Sequence, residues 1–588
     1  MAVFFALDLG TSNCALAAYV TSDEGTSDGE IVQIPLPQTP LMRGAGAVMV
    51  KRKNLLPSVI LLPVNDEQNP VIGEEAKAAL PLNPDRTIAS AKSFLSAASF
   101  NRTEKFLPWR SEIATELKLS PVEVTKLLID QALIGAKEFL SDRGLEGEIS
   151  DFPFVITVPA SFDEVARKLT ESSAKLSGIP KPILLEEPLA ATYAWCYANE
   201  KRLASELQGG DVILVCDVGG GTTDFSLIKV IEEDQSLKFE RIAVGEHILL
   251  GGDNIDLSLT YRARRELESS GKSINNWEFV ALNSLIRDAK EEILSGKKES
   301  VRLTVPGRGS DLFASEVTYT LTKKEVLPFI LDGFFSKALL GDRPVTRPPS
   351  GVREVGLPYA QDPSINRHLA SFLQVAGFMT GTGPNLVLFN GGVFNAPILR
   401  ERICEQLALW FPESGVRELK VDTYDLNVAR GGALFSHNTA LGKGLRIRAK
   451  SARSYYLGVA GAELAVPGIP PSLKGLCVIP HGLEEGSELL LNDRHFFLNL
   501  NETVTFSLFS STARSADRFG DLIEDAANSL QEVALLQVTL SDEANTSREL
   551  PVIIKSAFSL LGAINLSFIH EDSGRSWNLE FTLDAALR

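Results

Sequence analysis

The sequence predicts an α/β chain made of two related halves, followed by a smaller all-β domain. Three observations carry that expectation: a glycine-tipped hairpin that occurs twice, strand and helix alternation after the first copy, and two-residue alternation of apolar positions in the last part of the chain. At 588 residues the chain also exceeds the roughly 250 to 300 residues at which a single hydrophobic core stops growing, so several domains are expected.

Val3 to Leu9 is an apolar run that ends in Asp8-Leu9-Gly10-Thr11, and Ala15 to Val20 returns from it. The stretch from Asp211 to Ile228 repeats the design, with VILVCDV leading into GGGTTD and FSLIKV returning. Two such hairpins in one chain predict a duplicated architecture. Between them, Ser120-Pro121-Val122-Glu123 has the form of a capping box with proline at the first helical position. It predicts a helix through Leu140, with Val124, Leu127, Leu128 and Leu133 apolar. Phe154 to Val158 reads as a buried strand ended by Pro159, and Glu164 to Ser177 as a helix. Residues 341–362, rich in proline, glycine and charge, predict a surface loop with few buried contacts.

After Gly444 the pattern changes. Val504, Phe506 and Leu508 alternate with polar neighbours, as do Ile564, Leu566 and Phe568, and then Trp577, Leu579, Phe581 and Leu583. The expected organisation is therefore an α/β region over 1–440, a basic linker over 441–454 and a β-sandwich over 455–588.

A net charge of -17 repels phosphate backbones and argues against nucleic acid as a partner, but a small nucleotide is held by local N–H groups and stays allowed. The five cysteines, Cys14, Cys196, Cys216, Cys404 and Cys477, show no Cys-x-x-Cys spacing, so neither a disulfide framework nor a zinc site is expected. His247, His368, His437, His481, His495 and His570 lack metal-ligand spacing and read as satisfied or solvated residues. MAVFFALDLG has no basic leader region, and no apolar run approaches the roughly 18 residues of a membrane span. The expected compartment is the cytoplasm, with no membrane partner.

A phosphate needs converging N–H donors, and Gly219, Gly220 and Gly221 would let a backbone approach it without Cβ obstruction. Thr11 and Thr222 add hydroxyls, and Asp8 and Asp217, at strand ends, could hold the water shell of Mg2+. Leu250-Gly251-Gly252-Asp253-Asn254 and the apolar run Leu386 to Asn390 ending in Gly391-Gly392 supply two more glycine-rich strand ends. Each reads equally as a structural turn when taken singly.

In order, these segments resemble the nucleotide motifs of the seventy-kilodalton heat-shock chaperones, the DnaK type, within the actin and sugar-kinase (ribonuclease H-like) fold. ALDLGTSNC is similar to the first phosphate loop, ITVPASFDEVAR to the interlobe segment, LLEEPLAATYAW to the Glu-Pro helix start and CDVGGGTTDFS to the second loop. LLGGDNID and LFNGGVFNAPILR are similar to the third and fourth segments, so the likeness covers residues 3–440. It implies an ATPase using ATP/ADP and Mg2+, with Asp8 and Asp217 beside the metal. It also implies phosphate contacts at Gly10, Thr11, Ser12, Asn13, Gly219, Gly220, Gly221 and Thr222, and further nucleotide contacts at Gly251, Gly252, Gly391 and Gly392. Lys92, in SAKSFLS, matches the catalytic lysine, and Glu187 and Asp224 become polar neighbours of metal and water. The helix with Leu282, Leu285, Ile286, Ala289 and Ile293 on one face is similar to the ribose-binding helix, which implies roles for the polar Asp288 and Lys290 and for Ser295. Asn395 and Asp425 fall at the base end. Pro159 and Arg167 match the family's interdomain switch.

Departures from the family pattern shape the expected function. Asn395 stands where the family has an arginine that stacks on adenine, and one extra residue separates Lys290 from Ser295. Ile183 replaces the arginine before Glu-Glu-Pro that is typical of members dependent on J-proteins, so ordinary J-protein docking is not expected. The segment from GLCVIPHGLEEGSELLL onward is similar to the family's peptide-binding β-sandwich, without a helical lid. The expected activity is ATP hydrolysis coupled to binding of unfolded or specific client proteins, with a co-chaperone or exchange factor as a further partner. The alternatives are a small-molecule kinase of the same fold and a nucleotide-sensing scaffold.

Overall fold

The computed structural model describes residues 1–22, 29–40, 50–64, 69–97, 99–233, 236–305, 317–346, 356–379, 381–442, 445, 447–449, 451, 453–461, 473–484, 486–511, 514, 516–540, 549–558 and 564–581. They form two compact units. One comprises Met1–Phe162, Leu169–Lys238 and Val244–Arg446, and the other Asp163–Lys168, Phe239–Ala243 and Ile447–Arg588. Among the described residues no helix is long and apolar enough to cross a membrane.

The larger unit is α/β and carries the duplication in its sheets. In the first sheet the strand order is Ile183–Glu186, Phe154–Val158, Ala2–Leu9, Asn13–Thr21, Gly29–Ile34. Arg417–Glu418, Leu386–Asn390, Val212–Val218 and Thr223–Glu233 follow one another in the second. In each, a hairpin pairs antiparallel (Asp8 opposite Ala15; Asp217 opposite Asp224), and a later strand adds parallel to its first arm. Both first arms are buried on both faces, which suits a central strand flanked by parallel and antiparallel neighbours. Phe5 and Phe154, both fully buried, stack at 5.6 Å across the parallel pair; burial of such a ring contributes about 1.5 to 3 kcal/mol.

Two helices, Glu187–Ala198 and Asn427–Leu441, pack closely together, the second also against the first sheet. A Cβ on Gly431 would run into the backbone carbonyl of Ala190, and one on Gly432 would press on Ala6. Close approach of these helices therefore requires glycine at 431.

The capping box at Ser120 forms as the sequence predicts: Glu123 N–H donates to Ser120 Oγ at 3.1 Å, and Ser120 N–H to Glu123 Oε2 at 2.8 Å. Its helix runs Pro121–Asp142 and buries Val124, Leu128 and Leu133, whereas Leu127 stays half-buried. The described residues of 341–362 form a loop with one buried residue, at its end. Residues 347–355 lie outside the described residues, but Asp362 is buried, takes two bonds from Arg367 at 2.6 Å each and accepts from Val345 N–H at 2.7 Å. A buried carboxylate needs such donors, and they anchor this end of the segment.

In the smaller unit, one sheet orders Leu522–Ile523, Leu473–Ile479, Ser454–Ala460, Thr503–Ser511, Gln531–Thr539, and another Glu488–Asn499, Glu549–Phe558, Ile564–Ile569, Ser576–Phe581. Their inward side chains share one core: Leu457, Leu476, Val478 and Leu508 from the first meet Val552, Ile554, Leu566 and Leu579 from the second. The alternation at Ile564, Leu566 and Phe568 is thus burial on one face. The side chains of Phe581 and Leu583 lie outside the described residues. The expected linker is not uniformly free chain, because Ile447–Ala449 is strand and Ser451 and Ser454 are buried; residues 443, 444, 446, 450 and 452 lie outside the described set.

Candidate functional site

Both hairpin tips open on one cleft of about 1110 Å3 in the larger unit. Asp8, Gly10, Thr11, Ser12 and Asn13 line it from the first hairpin, and Asp217, Gly219, Gly220 and Thr222 from the second. The loops touch: a Cβ on Gly220 would meet Ser12 Oγ, and one on Gly221 would meet Ser93 Oγ and Thr11. Gly219 N–H donates to Thr222 O at 3.0 Å and so closes its own turn, whereas the amides of Gly220 and Gly221 bond no backbone oxygen among the described residues. The glycine run therefore serves loop contact as well as offering donors.

Four carboxylates and one ammonium gather at the inner end. Lys92 Nζ donates to Glu187 Oε1 at 2.6 Å, and both side chains are largely buried. Asp8 Oδ1 accepts from Thr157 Oγ1 at 2.9 Å, and Asp217 Oδ2 from Asn390 Nδ2 at 2.6 Å. Loss of solvent, then the charge of Glu187, pushes the Asp8 carboxyl up to about 7. The same two causes raise Asp217 well above the usual range, and desolvation raises Glu187 and Asp224. Desolvation opposes the Lys92 charge, but Glu187 and Asp8 outweigh it and hold the ammonium above its ordinary value. One cation among four crowded carboxyls leaves the site short of positive charge.

That shortage fits Mg2+ held through its water shell. Among the described residues no three His, Cys, Asp or Glu side chains converge to ligate a metal directly, and Mg2+ keeps several waters while using few carboxylates. Asn390 Oδ1, buried and without a partner among the described residues, adds an acceptor at the same place.

Lys290, expected on the polar side of its helix, is buried instead. Its ammonium lies 2.6 Å from Asp256 Oδ1 while still lining the cleft. Arg287, one turn earlier, donates from Nε to Asp256 at 2.8 Å and from Nη2 to Asp253, whose other oxygen accepts from Ser90 at 2.5 Å. Nearer solvent, Asp288 pairs with Lys77 at 2.9 Å, and Asn395 Nδ2 donates to Asp425 Oδ2 at 2.9 Å. Ser295 caps its helix, donating to Glu292 O at 3.1 Å.

The cleft thus brings together most of the sequence-predicted residues, including Gly252, Asp288, Lys290, Ser295, Gly391, Gly392, Asn395 and Asp425. Gly391, at φ 91° where a Cβ would run into the Val218 carbonyl, admits no side chain. Three predicted residues do not line it: Gly221 packs on Ser93, Gly251 on the carbonyls of Gly219 and Gly220, and Asp224 lies behind Thr222. Pro159 follows its strand and is buried; Arg167 is buried rather than a surface arginine. Sequence reasoning missed Asp253, Asp256, Arg287, Asn390 and His247. The first two lie within or just after the Gly251-Gly252 motif, but nothing local marks Arg287 or His247, whose partners come from distant segments.

A duplicated sheet with paired Asp-containing hairpins at a shared cleft defines a two-lobed fold of the actin-like class. A family profile described as Hsp70 protein matches residues 48–331. A "Chaperone protein HscA homolog" of Acinetobacter baylyi is 30% identical over 251 residues, 41% of this chain and 37% of the relative. The Pasteurella multocida homolog of the same description is 34% identical over 220 residues (36% and 32%), and that of Pseudoalteromonas atlantica 30% over 298 (49% and 41%). The matches span only about two fifths or less of these relatives' length. Over these stretches the chain is similar to Hsp70-type proteins, at a divergent level of identity.

Proposed function

We propose that this protein is an ATP-hydrolysing chaperone of the Hsp70 type, in which nucleotide state governs client binding by the β unit. The observation that carries the reading is the meeting of two phosphate loops around a buried Lys92–Glu187 pair beside Asp8 and Asp217. In this proposal Asp8 and Asp217 hold the water shell of Mg2+, which when bound neutralises phosphate charge. The free amide of Gly220 and the hydroxyls of Thr11 and Thr222 receive the phosphates.

Hydrolysis needs a water placed in line with the γ-phosphate and charge compensation on its oxygens. Lys92, kept protonated by Glu187 and Asp8, supplies the second from a largely desolvated position. Lys290 and Ser295 take the ribose end and Asn395 and Asp425 the base end, without a stacking arginine. Pro159 and Arg167 carry the nucleotide state to the β-sandwich, whose partners are unfolded or specific client proteins, with a co-chaperone or exchange factor acting on the cycle. The chaperone descriptions of the matched relatives support this reading.

The test is phosphate release from ATP by the full chain, with and without an unfolded polypeptide, beside Asp217→Asn. Turnover that the polypeptide stimulates and Asp217→Asn abolishes supports the proposal. ATP binding without release would favour a nucleotide-sensing scaffold, and transfer to a sugar or polyol would favour a kinase.

A further inference from the structure

Behind Thr222 a chain of polar side chains leads away from the cleft. Asp224 is buried, and its carboxylate accepts from Ser161 Oγ. Ser161 Oγ lies 2.6 Å from His247 Nδ1. The imidazole packs edge-on to Phe162, with ring centroids 6.1 Å apart, and Lys92 Nζ lies 5.6 Å from that ring's centroid. The four polar residues come from separate places: Thr222 and Asp224 from the second hairpin, Ser161 from beyond the strand Phe154–Val158, and His247 from the segment before Gly251.

The hydrogens can be counted. A serine hydroxyl has one, and Ser161 gives it to Asp224. The oxygen of Ser161 is then an acceptor toward His247, so Nδ1 carries a hydrogen and donates. Thr222, which lines the cleft, stands two residues before Asp224. Each bond fixes the direction of the next. If the His247 donor is lost, Ser161 is no longer held and its bond to Asp224 is no longer aimed.

We propose that His247 is a positioning residue for nucleotide hydrolysis, acting through Ser161 to hold Asp224 in place behind the second phosphate loop. The inference rests on the hydrolytic reading above and adds a residue to it. Its effect is confined to the chemical step, because neither His247 nor Ser161 lines the cleft where nucleotide would sit.

The experiment compares wild type, Ser161→Ala, His247→Leu and His247→Asn in single-turnover ATP hydrolysis, with nucleotide affinity and unfolding midpoint measured on each. The asparagine amide can place an N–H near where Nδ1–H stands, whereas leucine cannot. Loss of one orienting hydrogen bond is expected to slow hydrolysis about tenfold in Ser161→Ala and His247→Leu, with affinity within about twofold and unchanged midpoints; His247→Asn should recover most of the rate. Wild-type rates in His247→Leu, or equal slowing in His247→Asn and His247→Leu, would overturn the inference while leaving the ATPase reading intact. Slowing matched by weakened nucleotide binding or a lowered midpoint would overturn it as well. A wild-type protein that hydrolyses nothing would instead overturn the ATPase reading, and the inference with it.

Discussion

The two ends of the cleft are built differently. At the inner end Asp217 is buried, Lys92 and Glu187 are largely so, and each polar group is held by a partner from another segment. At the outer end Asp288, Ser295 and Asn395 are exposed, and their bonds are to Lys77, a neighbouring carbonyl and Asp425. Charges withdrawn from water interact strongly and have shifted proton affinities, whereas exposed pairs contribute only about 0 to 1 kcal/mol. The inner end is therefore preorganised for chemistry and the outer end for loose, adjustable contact.

That contrast predicts its largest effect at Lys92. Lys92→Ala should slow single-turnover ATP hydrolysis on the order of 100- to 1000-fold while fluorescent nucleotide still binds within a few-fold of wild type. Full turnover in the variant would remove the inner end's claim to catalysis. Next comes the crossing that carries both ends, since Glu187 begins one helix and Asp425 lies two residues before the other. Gly431→Ala forces a methyl into the Ala190 carbonyl and should cost about 3 kcal/mol in urea unfolding of the larger unit. A loss under about 0.5 kcal/mol would mean the helices can part without consequence.

The raised carboxyls give the third prediction. Folded Asp8 holds its proton up to about 7, against 3.8 for a free aspartate side chain, so the stability it contributes is complete below about pH 4 and is lost as pH rises through 7. Asp8→Asn should match the nucleotide-free wild type near pH 4 and exceed it by about 2 kcal/mol at pH 8, read from unfolding midpoints. Parallel pH curves would show that Asp8 is not under strain. The smallest effect belongs to the outer end. Asn395→Arg should tighten ADP binding about threefold through stacking, with GDP as the control, and leave stability unchanged. A change of a hundredfold would show this end to be as demanding as the inner one.

Legibility followed the same division. Hairpins, capping box and alternating strands are local patterns, and their periodicity and turn residues are visible in sequence. Lys290 misled because Ile286 and Ala289 mark the apolar stripe correctly, yet Asp256 from another helix draws the ammonium inside. In the segment 341–362 the loop was legible in composition, but the burial of Asp362 against Arg367 and two backbone donors was not.

The sequence by itself determined the duplicated hairpins, the glycines at their tips and the change to an all-β pattern after Gly444, because turn geometry and two-residue alternation depend on neighbours in the chain. Only the tertiary structure decided that Gly220 meets Ser12, that Lys92 meets Glu187, and that His247 reaches Asp224 through Ser161. Those pairings join residues dozens to more than two hundred positions apart. The strength of each depends on how much water the fold removes, which no local pattern encodes.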